Sequence, residues 1–252
     1  MAGRSSITTL LFDCDNTLVL SEDLAFDGCA EVMNAVCREK AVALPAAFTG
    51  PALMSEFVGQ NFRGLLAALQ ARHGFPLGPG EADALVRREE DVVVAKLRAA
   101  LTPCPGAGAA LARVAARYPA GSAAAVVSSS ALARVRASLE TAGLAGFFAP
   151  EHVFSAATSL DPPSSKPDPA VYRHALRVLG RGAGECVAVE DSRSGMLAAV
   201  GAGIPVLGYI GPYEGARRDE MAQVLRESGA VAIMEHWDEF EDRLAEIEGL
   251  AA

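Results

Sequence analysis

The sequence predicts an α/β protein: a doubly wound parallel sheet with an inserted α-helical domain. Three observations carry that expectation. Short runs of Val, Ile, Leu and Ala recur along the chain with helical pattern between them, the alternation that βαβ units impose. The runs are apolar throughout, as in strands covered on both faces. The pattern is interrupted once, between residues 19 and 102, by a segment with helical spacing and no convincing strand.

In chain order, Ile7 to Phe12 is the first expected strand. Leu24, Val32 and Val36, then Leu85, Val92, Val93 and Leu97, recur at near-helical spacing. Gly50-Pro51 and Gly78-Pro79-Gly80 divide this stretch into separate helices. Thr102 to Gly106 reads as the hinge by which the chain returns. A second strand is expected at Ala123 to Val127, followed by the helical LARVRASLETAG, and His152 to Ser155 is a candidate for another. Asp168 followed by Pro169 predicts a helix start capped by the Asp. Cys186 to Val189, Ile204 to Ile210 and Val231 to Met234 complete the strands, with GMLAAVGAG as a helix between the first two of these. The expected division is a core of residues 1–18 and 103–252 and a helical domain of residues 19–102.

Composition narrows the function classes. Apolar residues make up 51% and charged residues 21%, a folded composition. No apolar run approaches the roughly 20 residues that span a bilayer, and MAGRSSITTL lacks the apolar core of a signal peptide. A net charge of −9, from 22 basic and 31 acidic residues, argues against nucleic acid or an anionic membrane as partner. A small anion remains allowed, because a metal ion and a few cations can reverse the field inside a cleft. The five cysteines, at 14, 29, 37, 104 and 186, are odd in number and form no C-x-x-C pair. Neither a disulfide framework nor a zinc site is expected, and the reducing cytoplasm is the expected location. Oligomeric state leaves no signature in the chain.

The chemistry gathers where strands end. Open parallel sheets bind ligands beyond the carboxyl ends of their strands. The first strand runs into Asp13-Cys14-Asp15-Asn16-Thr17, the second into Ser128-Ser129-Ser130, and the Cys186 strand into Glu190-Asp191-Ser192. Lys166 stands in Ser164-Ser165-Lys166-Pro167-Asp168-Pro169, just before a helix. Taken singly, each cluster also reads as a turn, a cap or a surface charge. Together they bring carboxylates from two strand ends to one rim, where like charges repel unless they share a cation. Oxygen ligands without His or Cys suit Mg²⁺, which leaves room for phosphate oxygens. With a phosphate ester as substrate, Asp13 can attack phosphorus and Asp15 can protonate the leaving oxygen. Ser128 and helix-start N–H groups can hold a phosphoryl oxygen, and Lys166 can balance charge.

LLFDCDNTL, VVSSS, SKPDP and AVEDSRSG supply, in order, D-x-D-x-T, a Ser, K-P and E-D at these places. In this the chain resembles the haloacid dehalogenase superfamily, in its sugar-phosphatase and β-phosphoglucomutase-like branch with a small helical cap. The resemblance implies a Rossmann-like core, with Asp13 as nucleophile and Asp15 as acid/base. Ser128 and Ser129 would hold the phosphate and Lys166 would balance charge. It implies Mg²⁺ held by Asp13, Asp191 and the backbone carbonyl of Asp15, with Glu190 ligating directly or through water. Residues 19–102 would be the cap, FVGQNFRGLL its substrate-facing loop, and Asn61 and Arg63 the candidates for gripping the distal part of the substrate. One departure is Asn16, where the sugar-phosphate mutases usually carry Gly.

The implied activity is hydrolysis of a small phosphorylated metabolite, a sugar or polyol phosphate, through an aspartyl-phosphate. A phosphosugar mutase is the nearest alternative, since the same intermediate can be returned to a second hydroxyl. A non-catalytic phospho-accepting regulator is more remote, because it needs neither a cap nor a second acid. Dehalogenation is disfavoured because Asp15 is present: the dehalogenases that resemble this family lack an acid there, having no alkoxide to protonate. A cysteine phosphatase needs Arg six residues after its Cys, and Leu20, Ala35, Ala43, Ala110 and Ser192 occupy those positions.

Overall fold

The computed structural model describes residues 7–57, 60–117 and 124–250. Six parallel strands form one sheet in the order β3-β2-β1-β4-β5-β6. They are β1 (Thr9–Phe12), β2 (Ala124–Ser128), β3 (Val153–Ser155), β4 (Cys186–Glu190), β5 (Val206–Tyr209) and β6 (Ala232–Met234). The order reverses at β1, flanked by β2 and β4, so the doubly wound class expected from the sequence is the class observed. The run expected from Ala123 is described from Ala124 onward, since Ala123 lies outside the described residues, as do Val58 and Gly59 of FVGQNFRGLL.

Alternate β1 side chains face opposite layers. Leu11 joins Val127, Tyr172, Ala188 and Leu225 in one core. Phe12 meets Phe148, Trp237 and Phe240, with ring centroids 6.0 to 6.1 Å apart. Burial on both faces is why these strands read as unbroken apolar runs. The layers are built from α5 to α10: Ala107–Arg117, Leu132–Thr141, Ala170–Leu179, Arg193–Gly201, Gly215–Glu227 and Phe240–Leu250.

The chain divides into two compact units, Met1–Leu20 with Thr102–Ala252, and Ser21–Leu101. The second contains α1 (Glu22–Glu39), α2 (Gly50–Phe57), α3 (Phe62–His73) and α4 (Glu81–Ala100), and no strand among its described residues. Its own core includes Phe26, Met33, Phe57, Leu65, Leu69 and Phe75. Gly28 lets α1 meet α4 closely, since a Cβ there would lie 2.6 Å from Val93 Cγ2. In the first unit, Val19 bridges Pro103, the Leu20 N–H donates to the Thr102 carbonyl at 3.0 Å, and the Cys104 N–H donates to that of Leu18 at 2.9 Å. The segments leaving and re-entering this unit therefore run side by side.

Candidate active site

The turn after β1 is built around one buried carbonyl. Cys14 accepts from the N–H groups of Thr17, Leu18 and Val19 at 2.9 to 3.3 Å, and its side chain is wholly buried. Burial, with Asp15 and Asp13 adding to it, pushes the Cys14 thiol well above its ordinary value. It is therefore an apolar plug between the carboxylates. Asn16 has φ of 56°. That left-handed conformation favours Gly and, among other residues, Asn, so the departure noted at Asn16 keeps the turn.

Asp13 stands at the end of the central strand, its N–H donating to the Val189 carbonyl at 3.0 Å. Lys166 reaches it from the loop before α7. The Lys166 ammonium donates to Asp13 Oδ1 at 2.6 Å, to Glu190 Oε1 at 2.6 Å and to the Val127 carbonyl at 2.8 Å, and its side chain is 3% exposed. All three of its donors are used. Burial by itself would lower the Lys166 pKa, but Asp13 and Glu190 outweigh it and raise it above the ordinary value. Lys166 stays charged. Its ammonium also lies 5.3 Å from the centre of the Tyr172 ring.

Glu190, the last residue of β4, has no exposure. Its Oε1 accepts from Lys166 and from the Tyr172 hydroxyl. Its Oε2 is buried without a hydrogen-bond partner, packed against Gly195 of α8, where a Cβ would come within 1.7 Å. Burial pushes the Glu190 carboxyl up to about 7, with Asp13 adding to the rise and Lys166 opposing it. Asp13 is raised in the same direction by burial, against the pull of Lys166.

Asp191 follows directly. Its Oδ1 accepts from Thr17 Oγ1 at 3.3 Å and its Oδ2 from the Tyr213 hydroxyl at 2.8 Å. Ser192 caps α8, accepting from the Gly195 N–H at 3.1 Å. Carboxylate oxygens of Asp13, Glu190 and Asp191 lie within 4.8 Å of one another. The donor set is all oxygen, and Glu190 Oε2 is a buried oxygen left without a hydrogen-bond partner. These residues fit a hard divalent ion such as Mg²⁺.

The three serines after β2 have separate partners. Ser128 Oγ accepts from the Ser130 N–H at 3.0 Å and lies 3.5 Å from Asp15 Oδ2. Ser129 Oγ accepts from the Lys166 N–H at 3.2 Å, and Ser130 Oγ donates to Asp15 Oδ2 at 2.7 Å. None caps α6, whose first N–H, from Leu132, donates to Thr158 Oγ1 at 3.1 Å. Asp168 accepts from the Ala170 N–H at 2.9 Å, so it serves α7 although Pro169 occupies the position next to the helix.

Asp13, Asp15, Ser128, Ser129, Lys166, Glu190 and Asp191 thus gather at the carboxyl ends of β1, β2 and β4. Asn61 and Arg63 belong to the other unit. There the Asn61 side chain caps α3, accepting from the Gly64 N–H at 2.9 Å, and Arg63 pairs with Asp83 at 2.5 Å, both exposed. Sequence reasoning did not single out Tyr172, Tyr213 or Ser130. Ser130 belongs to the serine cluster expected at the end of the second strand. Tyr172 falls in the helix expected after Asp168-Pro169 with nothing to mark a partner for Glu190, and nothing in Gly211-Pro212-Tyr213 marks a partner for Asp191.

The sequence model for haloacid dehalogenase-like hydrolases matches residues 7–203. The chain belongs to that family. This haloacid dehalogenase-like hydrolase is 28% identical over 203 residues to the 6-phosphogluconate phosphatase of Escherichia coli (strain K12), covering 80% of this chain and 82% of that protein. It is 34% identical over 175 residues to hexitol phosphatase A of the same organism, covering 69% and 76%. Among solved structures, a haloacid dehalogenase family hydrolase from Deinococcus radiodurans, with bound phosphate and sodium, is 28% identical. That match has a TM-score of 0.67 and covers 97% of each chain. Among the described residues, no helix of this hydrolase is long and apolar enough to cross a membrane.

Proposed function

We propose that this hydrolase is a Mg²⁺-dependent phosphatase that cleaves a small sugar or polyol phosphate through an aspartyl-phosphate at Asp13. Family membership and the phosphatases among its relatives make it a phosphoric monoester hydrolase. The observation that carries the finer reading is the contrast between its two motif carboxylates. Asp13 is buried with an ammonium 2.6 Å away, whereas Asp15, two residues on, is partly exposed, accepts a hydroxyl hydrogen bond from Ser130 and has the Arg134 guanidinium at 3.8 Å. Unlike surroundings are how paired carboxylates divide nucleophilic from acid/base work.

In the first step an Asp13 carboxylate oxygen attacks phosphorus, the bond from phosphorus to the leaving oxygen breaks, and Asp15 gives its proton to that oxygen. In the second, Asp15 takes a proton from water while the water oxygen attacks phosphorus. The Asp13–phosphorus bond breaks, and inorganic phosphate leaves with Asp15 protonated again. Lys166, anchored on Asp13 and Glu190, supports the nucleophile and offsets phosphoryl charge. Ser128 and Ser129 assist at the phosphoryl oxygens. Asp13, Asp191 and the Asp15 backbone carbonyl would hold Mg²⁺, with Glu190 as a further ligand, direct or through water. Bound, the ion would neutralise phosphoryl charge as a Lewis acid. The names of the two Escherichia coli relatives support a polyhydroxylated substrate. Arg63 and Asn61 are the candidates for its distal part.

The test is a turnover screen of purified protein against phosphorylated metabolites with Mg²⁺, following inorganic phosphate. Release from sugar or polyol phosphates, abolished by chelation, is expected. Full activity after exhaustive chelation would overturn the metal assignment, and an isomerised sugar phosphate without phosphate release would make the protein a mutase.

A further inference from the structure

Asp15 is hydrogen-bonded on one oxygen and ion-paired on the other by side chains outside the residues assigned above. Ser130 Oγ donates to Oδ2 at 2.7 Å, and the Arg134 guanidinium lies 3.8 Å from Oδ1. Arg134 sits in the first turn of α6. Its side chain is only 15% exposed, whereas every other arginine in a described ion pair is at least 32% exposed. A guanidinium kept so far from water beside one carboxylate differs from an ordinary surface pair.

Both arms of this grip rest on one hydrogen-bonded support. The Ser130 carbonyl accepts from Ser155 Oγ at 2.7 Å, and its N–H donates to Ser128 Oγ at 3.0 Å. Thr158 donates to Ser155 Oγ from its own N–H at 3.1 Å and from Oγ1 at 2.9 Å. The same Thr158 Oγ1 accepts from the Leu132 N–H and so anchors the start of α6, two residues before Arg134. Ser130 and Arg134 are therefore fixed relative to each other by the end of β3 and the loop after it.

We infer that Arg134 is a positioning residue for proton transfer by Asp15: with Ser130 it fixes the direction in which that carboxyl faces the leaving oxygen and later the water. Arginine does not give up its proton in proteins, so the guanidinium orients the acid without replacing it. The inference rests on the phosphatase reading of Asp15. A misdirected acid is costly in proportion to how much the leaving group needs a proton, and that dependence is what a merely structural arginine would not show.

The experiment compares wild type with Arg134→Met and Arg134→Lys on an alkyl phosphate, such as a hexitol phosphate, and on p-nitrophenyl phosphate, with folding checked by circular dichroism. For Arg134→Met, kcat on the alkyl ester is expected to fall about 10- to 100-fold with KM little changed. The fall on the aryl ester should be much smaller, and Arg134→Lys should recover part of the loss. In an Asp15→Asn background, Arg134→Met should leave the first-turnover release of p-nitrophenol unaltered, since the group it positions has gone. Equal losses on both esters, a rise in KM with kcat intact, or an undiminished effect in the Asp15→Asn background would each overturn the inference. If Arg134→Met does not fold, Arg134→Lys carries the same comparison of esters. A wild type inactive on every ester would instead overturn the phosphatase reading, and this inference with it.

Discussion

Lys166 places its ammonium 2.6 Å from Asp13 Oδ1 across 153 residues of sequence, with the lysine side chain 3% and the aspartate side chain 10% exposed. The same ammonium holds Glu190 at 2.6 Å. Removing one partner from such a cluster strands the others. We predict that Lys166→Met destabilises the metal-free first unit by about 3–5 kcal/mol, the range for breaking a buried ion pair. Urea unfolding in the presence of chelator measures this, and a loss under about 1 kcal/mol would show that Asp13 and Glu190 do not depend on the lysine.

Asp13 and Asp15 should fail differently. Asp13→Asn puts a neutral amide in place of the nucleophile, so turnover and phosphoenzyme should both vanish on every substrate. Asp15→Asn should slow the first step on an alkyl phosphate by roughly 10²–10⁴, the usual size of general acid catalysis. An activated aryl phosphate needs little protonation, so this variant should accumulate phosphate on Asp13, visible as a mass increase of the intact protein. Phosphate found on Ser128, or wild-type turnover by Asp13→Asn, would end the proposed mechanism.

Asp191 is held by Thr17 and by Tyr213. Groups that orient a metal-binding carboxylate typically contribute 10- to 100-fold to affinity. Tyr213→Phe, which removes only the hydroxyl, should raise the Mg²⁺ dissociation constant by about that factor. Calorimetric titration with Mg²⁺ alone reads it, independently of turnover. An unchanged constant would remove Tyr213 from the metal site.

The Glu190 carboxyl, pushed by burial up to about 7, links stability to pH. Its folded pKa lies above the unfolded one, so the protonated form favours folding. That contribution is full below the ordinary value of 4.5 and is lost as pH rises through about 7. We predict that the melting temperature of the metal-free protein falls between pH 5 and pH 8 relative to Glu190→Gln, whose amide does not titrate. Mg²⁺ favours the carboxylate and should restore more stability at pH 8 than at pH 5. Parallel melting profiles for the two proteins would contradict the assignment.

The sequence by itself determined the sheet, because strands buried on both faces must be apolar along their whole length and so announce themselves locally. It also determined the carboxylates at the strand ends: charged residues directly after such runs have nowhere to sit but the rim. For the same reason Asp13, Asp15, Glu190 and Asp191 were legible, and Ser128 with them. Only the tertiary structure decided who holds whom. Ser128 and Ser130 stand two residues apart with the same hydroxyl, yet Ser130 makes the short bond to Asp15, while Ser128 supports Ser130. Tyr172 in α7, Tyr213 after β5 and Arg134 in α6 sit on separate elements, each in an ordinary local pattern. Their roles follow from distances set by strand order and helix placement, which join residues far apart in the chain and leave no periodic trace along it.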